Sequence, residues 1–285
     1  MADDAHQWLV ETDWLAWHLD TPGLVVLDGS MHLPTTQRHA RAEYLAQHIP
    51  GALFFDIDDI SNKSSPLPHM LPPPELFASR MKKMGIGDGM QLIAYDSEGL
   101  YSAARVWWMF RVMGHKDVAI LDGGLPKWMA EDRPVTDDPT PPRERHFTAR
   151  VDNTLVRSLD DVMALLGTKR EQIIDARAAN RFRGEAPEPR PGLRAGHMPG
   201  AYNLPYNELI DPRTGTMLPA DALARRIAAS GIDPAKKVTA SCGSGVSACV
   251  VALGLYLTGA PEAAIYDGSW SEWGGRADTP IVTGP

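Results

Sequence analysis

Cys242 stands where an apolar run gives way to a glycine-punctuated turn, in Val238-Thr239-Ala240-Ser241-Cys242-Gly243-Ser244-Gly245-Val246-Ser247-Ala248. Glycines let the backbone curl tightly, so that successive N–H groups converge on one point and form an anion nest. A helix starting after such a loop adds its positive dipole end to the same point. Both effects favour thiolate over thiol, and the thiolate is the nucleophile. The chemistry that follows is covalent catalysis on sulfur, with the adduct held by backbone amides. The competing reading is a small buried hydrophobe, common for a lone cysteine; the Gly-Ser-Gly that follows favours the nucleophile. A second group is Arg181, Arg183, Arg190 and Arg194 in a proline- and glycine-rich stretch. Guanidinium forks there could clamp a carboxylate, or the four could form a solvated basic loop.

The other cysteine, Cys249, lies in the apolar run Ala248-Cys249-Val250-Val251-Ala252-Leu253 and reads as core. Two cysteines are too few for the usual metal site. If the residues from 242 to 249 are helical, the Cα atoms lie roughly 10 Å apart, beyond disulfide reach. One free thiol in a reducing compartment is the expectation.

Stepping outward, 285 residues suit two domains, and 44% hydrophobic with 22% charged residues is ordinary globular composition. A net charge of -8 argues against a general nucleic-acid binder. No apolar run approaches a membrane span, so no membrane partner is expected. The acidic opening Met1-Ala2-Asp3-Asp4-Ala5-His6-Gln7-Trp8 lacks the features of a secretory signal, which predicts a cytoplasmic protein.

The chain repeats itself. Residues 93–128 and 238–273 align without a gap at an offset of 145, placing Ser102-Ala103 on Ser247-Ala248, Asp122-Gly123 on Asp267-Gly268 and Trp128 on Trp273. Upstream, Val25-Val26-Leu27-Asp28 matches Ile173-Ile174-Asp175, and His48-Ile49-Pro50-Gly51-Ala52 matches His197-Met198-Pro199-Gly200-Ala201. A whole domain is duplicated. Short apolar runs alternate with helix-like stretches, so each copy is predicted to be α/β with a parallel sheet and ligands at the strands' carboxyl ends. Boundaries are expected at 1–135 and 151–285, joined by a proline-rich linker over 136–150. In the gapless alignment Ser97 falls on Cys242, without the Gly-Ser-Gly cradle, so the first domain is predicted to be non-catalytic. His48 and His197 occupy equivalent places before Pro-Gly in both copies, which favours structural roles.

The tandem layout, Cys242 to Ala248, Tyr266-Asp267-Gly268-Ser269-Trp270, Arg181-Phe182-Arg183-Gly184 and Glu188-Pro189-Arg190 resemble the rhodanese superfamily, and within it the 3-mercaptopyruvate sulfurtransferase branch. The resemblance covers nearly the whole chain. It implies two tandem rhodanese-like domains, each a small parallel sheet flanked by helices, with the second one catalytic. It implies that Cys242 forms a persulfide, cradled by the ring that includes Gly243, Gly245, Val246 and Ser247. Arg181 and Arg190 match the arginines that hold mercaptopyruvate, whereas Arg183 and Arg194 stay with the solvated reading. Asp58, His69 and Ser244 match a proton relay; a loop-capping role for His69 is the alternative. The implied partners are 3-mercaptopyruvate as donor and a small thiol, thioredoxin or cyanide as acceptor, with no metal or organic cofactor. Other readings share these residues, among them a non-catalytic persulfide carrier or binding module that only stores sulfur for a partner, and a redox sensor at Cys242. A protein phosphatase with the same loop style needs an arginine where Ala248 stands. A thiosulfate-preferring rhodanese carries basic residues where Gly243 and Ser244 stand.

Overall fold

The computed structural model describes residues 8–168 and 170–285; the opening segment read above for targeting lies, up to Gln7, outside them. The chain divides into two units. The first comprises residues 8–62, 71–152 and 211–217, and the second 63–70, 153–210 and 218–285, Lys169 being undescribed. The segment expected as a linker, 136–150, runs against the first unit: Thr136 bridges His48, Thr148 bonds Asp88, and Phe147 is buried.

Among the described residues each unit holds one five-stranded parallel sheet. In the first, β1 (Leu9–Val10), α1 (Thr12–His18), β2 (Leu24–Asp28), α2 (Ala40–Ala46), β3 (Leu53–Phe54), α3 (Ile57–Ile60), α4 (Pro74–Met84), β4 (Gln91–Tyr95), α5 (Ala103–Val112), β5 (Val118–Leu121) and α6 (Gly124–Ala130) follow in order. The second repeats the plan with β6 (Val156–Arg157), α7 (Leu159–Leu165), β7 (Gln172–Asp175), α8 (Ala179–Phe182), β8 (Tyr202–Asn203), α9 (Ala220–Ala229), β9 (Val238–Ser241), α10 (Ala248–Leu257), β10 (Ala264–Tyr266) and α11 (Ser269–Trp273). The strand orders correspond, β1-β5-β4-β2-β3 and β6-β10-β9-β7-β8. Both reverse direction beside β2 and β7, which leaves a crevice at the carboxyl ends of β2/β4 and β7/β9.

Equivalent residues build both cores. Val26, Ile49 and Trp128 cluster in the first unit, and Ile173, Met198 and Trp273 in the second. Helix α10 is apolar on every side and buried from Ala248 to Leu255, which makes it a rigid base for the loop before it. The helix starts only at Ala248, so Cys242 and Cys249 are not on one helix as the spacing argument assumed; neither is part of a disulfide.

Strand register corrects the gapless alignment. Asp28 pairs with Tyr95, and Asp175 with Ser241. Residues 96–102 join β4 to α5, one residue more than 242–247 between β9 and α10. Asp96, rather than Ser97, therefore takes the place of Cys242. The next helix agrees: the Leu125 amide donates to the Asp96 carbonyl at 3.0 Å, and the Trp270 amide to the Cys242 carbonyl at 2.9 Å.

Among buried acids, Asp122 carries a testable consequence. It accepts from the Met217 amide at 2.8 Å, and burial raises its carboxyl to about 6 against the pull of the Met217 and Gly123 amides. An acid whose pKa rises on folding destabilises the fold above that pKa, and the penalty fades as pH falls from about 6 towards 4. Asp122→Asn keeps an acceptor for Met217 and removes the charge. It is expected to stabilise the protein at pH 7.5 by roughly 1–3 kcal/mol, and by little at pH 4.5, in urea titrations at the two pH values.

Candidate active site

Cys242 is fully buried at the end of β9, and Gly243 beside it is partly exposed. Taking a thiolate out of water is costly, so negative charge there must be met by nearby donors and cations. The loop supplies the donors. Gly245 takes φ 75°, a left-handed turn that a glycine adopts without strain, and this curls the ring from Cys242 to Ser247. Among the described residues, the amides of Gly243, Ser244, Val246 and Ser247 are spent on no backbone carbonyl. The first unit shows what such a loop does with an anion. There the Asp96 carboxylate, fully buried, accepts from the amides of Glu98 at 2.9 Å and of Tyr101 and Ala103 at 2.8 Å. A negative side chain at the strand end is thus enclosed by loop amides.

The cations come from the stretch between β7 and β8. A Cβ placed on Gly243 would sit 3.4 Å from Arg181 Nη2 and 3.9 Å from Arg190 Nη1, so both guanidinium tips flank the residue next to the cysteine. Arg181, at the end of α8, is held by Glu188 through Nη2 to Oε2 at 2.5 Å. Glu188 in turn receives Arg177 Nη1 at 2.7 Å, and Arg177 is clamped on Asp175 by Nε and Nη2. Arg177 also lies 4.0 Å over the Trp270 ring. This chain of alternating charge is almost wholly buried, with side-chain exposures of 1% for Arg177 and 2% for Glu188. Arg183 and Arg194 go elsewhere: the first pairs with Glu185, and the second bonds the carbonyls of Trp273, Gly274 and Thr279.

Of the relay candidates, His69 belongs to the second unit, because residues 63–70 cluster there. Arg190 Nη2 donates to His69 Nε2 at 3.3 Å and to Ser244 Oγ at 3.4 Å, gathering histidine, serine and arginine in one place. His69 is held at φ 58°, a conformation non-glycine residues rarely take. Counting back from Pro73 and Pro219, its counterpart in the other copy is Gly215, at φ 70°. Asp58 belongs to the first unit, exposed on α3. His48 and His197 are tied into their own domains. His48 Nδ1 bonds the Tyr44 carbonyl, and His197 Nδ1 bonds that of Phe182, against whose ring it stacks.

Two supports escaped sequence reasoning. One is the Asp175-Arg177-Glu188 chain: Asp-x-Arg at a strand end and Glu188 beside Arg190 are its linear traces, and neither shows the pairing. The other is Ser269, fully buried, whose hydroxyl accepts from the Cys242 amide at 3.2 Å and donates to the Tyr266 carbonyl at 2.8 Å. Ser269 sits at φ 49°. Ser269→Ala keeps that strain and strands the buried amide, with an expected loss of about 1–3 kcal/mol in chemical denaturation. Ser269→Gly relaxes the backbone, and its loss is expected to be smaller.

Among the described residues there is no group of three or more His, Cys, Asp or Glu that could hold a metal ion, and no helix long and apolar enough to cross a membrane. The Rhodanese-like domain pattern matches residues 11–131 and 158–276. The 3-mercaptopyruvate sulfurtransferase of Escherichia coli strain K12 is 45% identical over 275 residues, spanning 96% of this chain and 97% of that protein. The 3-mercaptopyruvate sulfurtransferase of Homo sapiens is 42% identical over 275 residues, spanning 94% and 92%. The crystal structure of SseA from Escherichia coli superposes with a TM-score of 0.85 at 42% identity, covering 93% of this chain and 100% of that one. With two matched domains and relatives this similar along almost its whole length, the chain belongs to the rhodanese family, among the 3-mercaptopyruvate sulfurtransferases.

Proposed function

We propose that the chain is a sulfurtransferase that takes sulfur from 3-mercaptopyruvate onto Cys242, releases pyruvate and passes the sulfur to a thiol or to cyanide. The observation that carries this reading is the pair of guanidinium tips beside Gly243. Arg181 and Arg190 would hold the carboxylate and keto oxygens of a 2-oxo acid, with its sulfur directed at Cys242. The Cys242 thiolate attacks that sulfur. An S–S bond forms, the C–S bond breaks, and its electron pair becomes the enolate of pyruvate, which takes a proton. His69 and Ser244, both joined to Arg190, would deliver it. The loop amides then hold the persulfide anion as those of the first unit hold Asp96. An acceptor thiolate attacks the outer sulfur and returns Cys242 as thiolate, a ping-pong cycle. Thioredoxin or a small thiol suits that half-reaction. Two cysteines outside any disulfide fit a reducing, cytoplasmic setting.

Brief incubation with 3-mercaptopyruvate should add one sulfur, about 32 Da by mass spectrometry, with pyruvate released. Thiosulfate should load Cys242 more slowly, because it lacks the carboxylate and keto oxygens that Arg181 and Arg190 would hold, and Gly243 and Ser244 add no charge of their own. A clear thiosulfate preference in kcat/KM would sink the donor assignment. His69→Ala should alter the pH–rate profile; an unaltered profile removes histidine from the proton path.

A further inference from the structure

The two units differ sharply at one spot, where two large side chains of the second have small counterparts in the first. The Arg177 amide donates to Asp175 Oδ1 at 2.9 Å, and the Ser30 amide donates to Asp28 Oδ1 at 2.9 Å. Ser30 therefore stands at the place of Arg177. Leu125 stands at that of Trp270, each following a residue with positive φ, Gly124 at 53° and Ser269 at 49°. In the second unit the Arg177 guanidinium, stacked on Trp270, fills the space between Asp175 and Glu188. In the first, a cavity of about 460 Å³ opens at the carboxyl ends of β2 and β4.

The lining of that cavity has a definite chemistry. Asp28 and Glu43 bring two carboxyls, Arg38 one cation, and Leu125, Pro126 and Met129 an apolar side. Arg38 is already committed, to both Glu43 oxygens at 2.9 and 2.7 Å and to Glu98. Asp28 is 2% exposed. Burial pushes its carboxyl up, against the hydrogen bonds from Ser30 and Tyr95. The wall keeps the acid of the Asp175 position and lacks the guanidinium that answers it.

We propose that this cavity binds a small organic cation with a planar N–H head, a guanidinium or amidinium, occupying the place that the Arg177 side chain fills in the second unit. The head donates to Asp28, and the apolar side receives the rest of the ligand. Such a site in the first unit has no part in the sulfur chemistry at Cys242.

The test is calorimetric titration of the full chain with benzamidine, beside its neutral isostere benzamide. Saturable benzamidine binding is expected, with benzamide at least about tenfold weaker, since it brings no charge to Asp28. Asp28→Asn should weaken benzamidine about tenfold or more. Ser30→Arg should abolish binding and raise Tm by supplying the missing guanidinium from within. Leu125→Trp fills the same space should the arginine variant fail to fold. Cys242→Ser should bind benzamidine as the wild type does. The proposal is overturned if benzamidine gives no saturable heat up to about 10 mM. Equal affinity for benzamide, or affinity unchanged in both cavity-filling variants, would overturn it equally.

Discussion

Cys242→Ser should gain no sulfur from 3-mercaptopyruvate and should lose turnover by about 10³-fold or more, while melting close to the wild type. The two halves of that result have separate causes. A hydroxyl at the end of β9 cannot carry the sulfane sulfur, so the ping-pong cycle has no intermediate. The loop itself does not depend on the thiol: its carbonyls at 242 and 243 are held by the amides of Trp270 and Ser271, and Gly245 keeps its turn. The only other thiol, Cys249, lies buried in α10 and donates to the Gly245 carbonyl at 3.3 Å. Turnover above about 1% of wild type would move the sulfur chemistry away from Cys242 and refute the assignment.

The second large effect is expected at Glu188. Its carboxylate, almost without exposure, is shared by Arg177 and Arg181. Removing one partner of a buried ion pair leaves uncompensated charge in a poorly solvated place, at a cost of about 3–5 kcal/mol. Glu188→Ala should lose that much in urea denaturation, and Glu188→Gln less, because its amide oxygen still accepts. The kinetic signature separates positioning from mere stability. Arg181, freed from Glu188, no longer keeps its tip beside Gly243, so KM for 3-mercaptopyruvate should rise about tenfold with kcat changing less. Glu188→Asp should not rescue KM, its shorter arm being unable to span both guanidinium groups. A folded Glu188→Ala enzyme with wild-type KM would show that Glu188 does not position Arg181 for the substrate, and Arg181→Lys with wild-type KM would take Arg181 out of substrate binding.

The parts legible in the sequence are those whose physics is local. Gly243-Ser244-Gly245 after an apolar run announces a curled loop, and Val25–Asp28 matched to Ile173–Asp175 announces equivalent strands in the two copies. The arginines could not be sorted by sequence, because guanidinium direction is set by distant partners such as Glu188 and Thr279; Arg194, read as solvated, is half-buried and bonds the carbonyls of Trp273, Gly274 and Thr279. Ser269 was invisible as the support of the Cys242 amide, since that contact joins the ends of two different strands. The one-residue slip that put Ser97 in place of Asp96 has a similar origin. A short apolar run matches its copy about equally well when slid by one residue, and only the ladder partners Tyr95 and Ser241 fix it. His69 was legible as a residue of interest, but contiguity in the chain put it in the first domain.

Residues 63–70 come from the first half of the sequence and belong with the second unit, while 211–217 make the reverse loan to the first. Cut between 152 and 153, the chain would yield two pieces that are each incomplete. The piece with Cys242 would arrive without His69, and the other would arrive without the Met217 amide that Asp122 accepts. Duplicated modules are ordinarily expendable, free to be trimmed, shuffled or sold off singly by deletion. Here each copy is custodian of a segment that clusters with its sibling, so deleting either half is expected to leave the other short of chain, and the tandem to pass on whole.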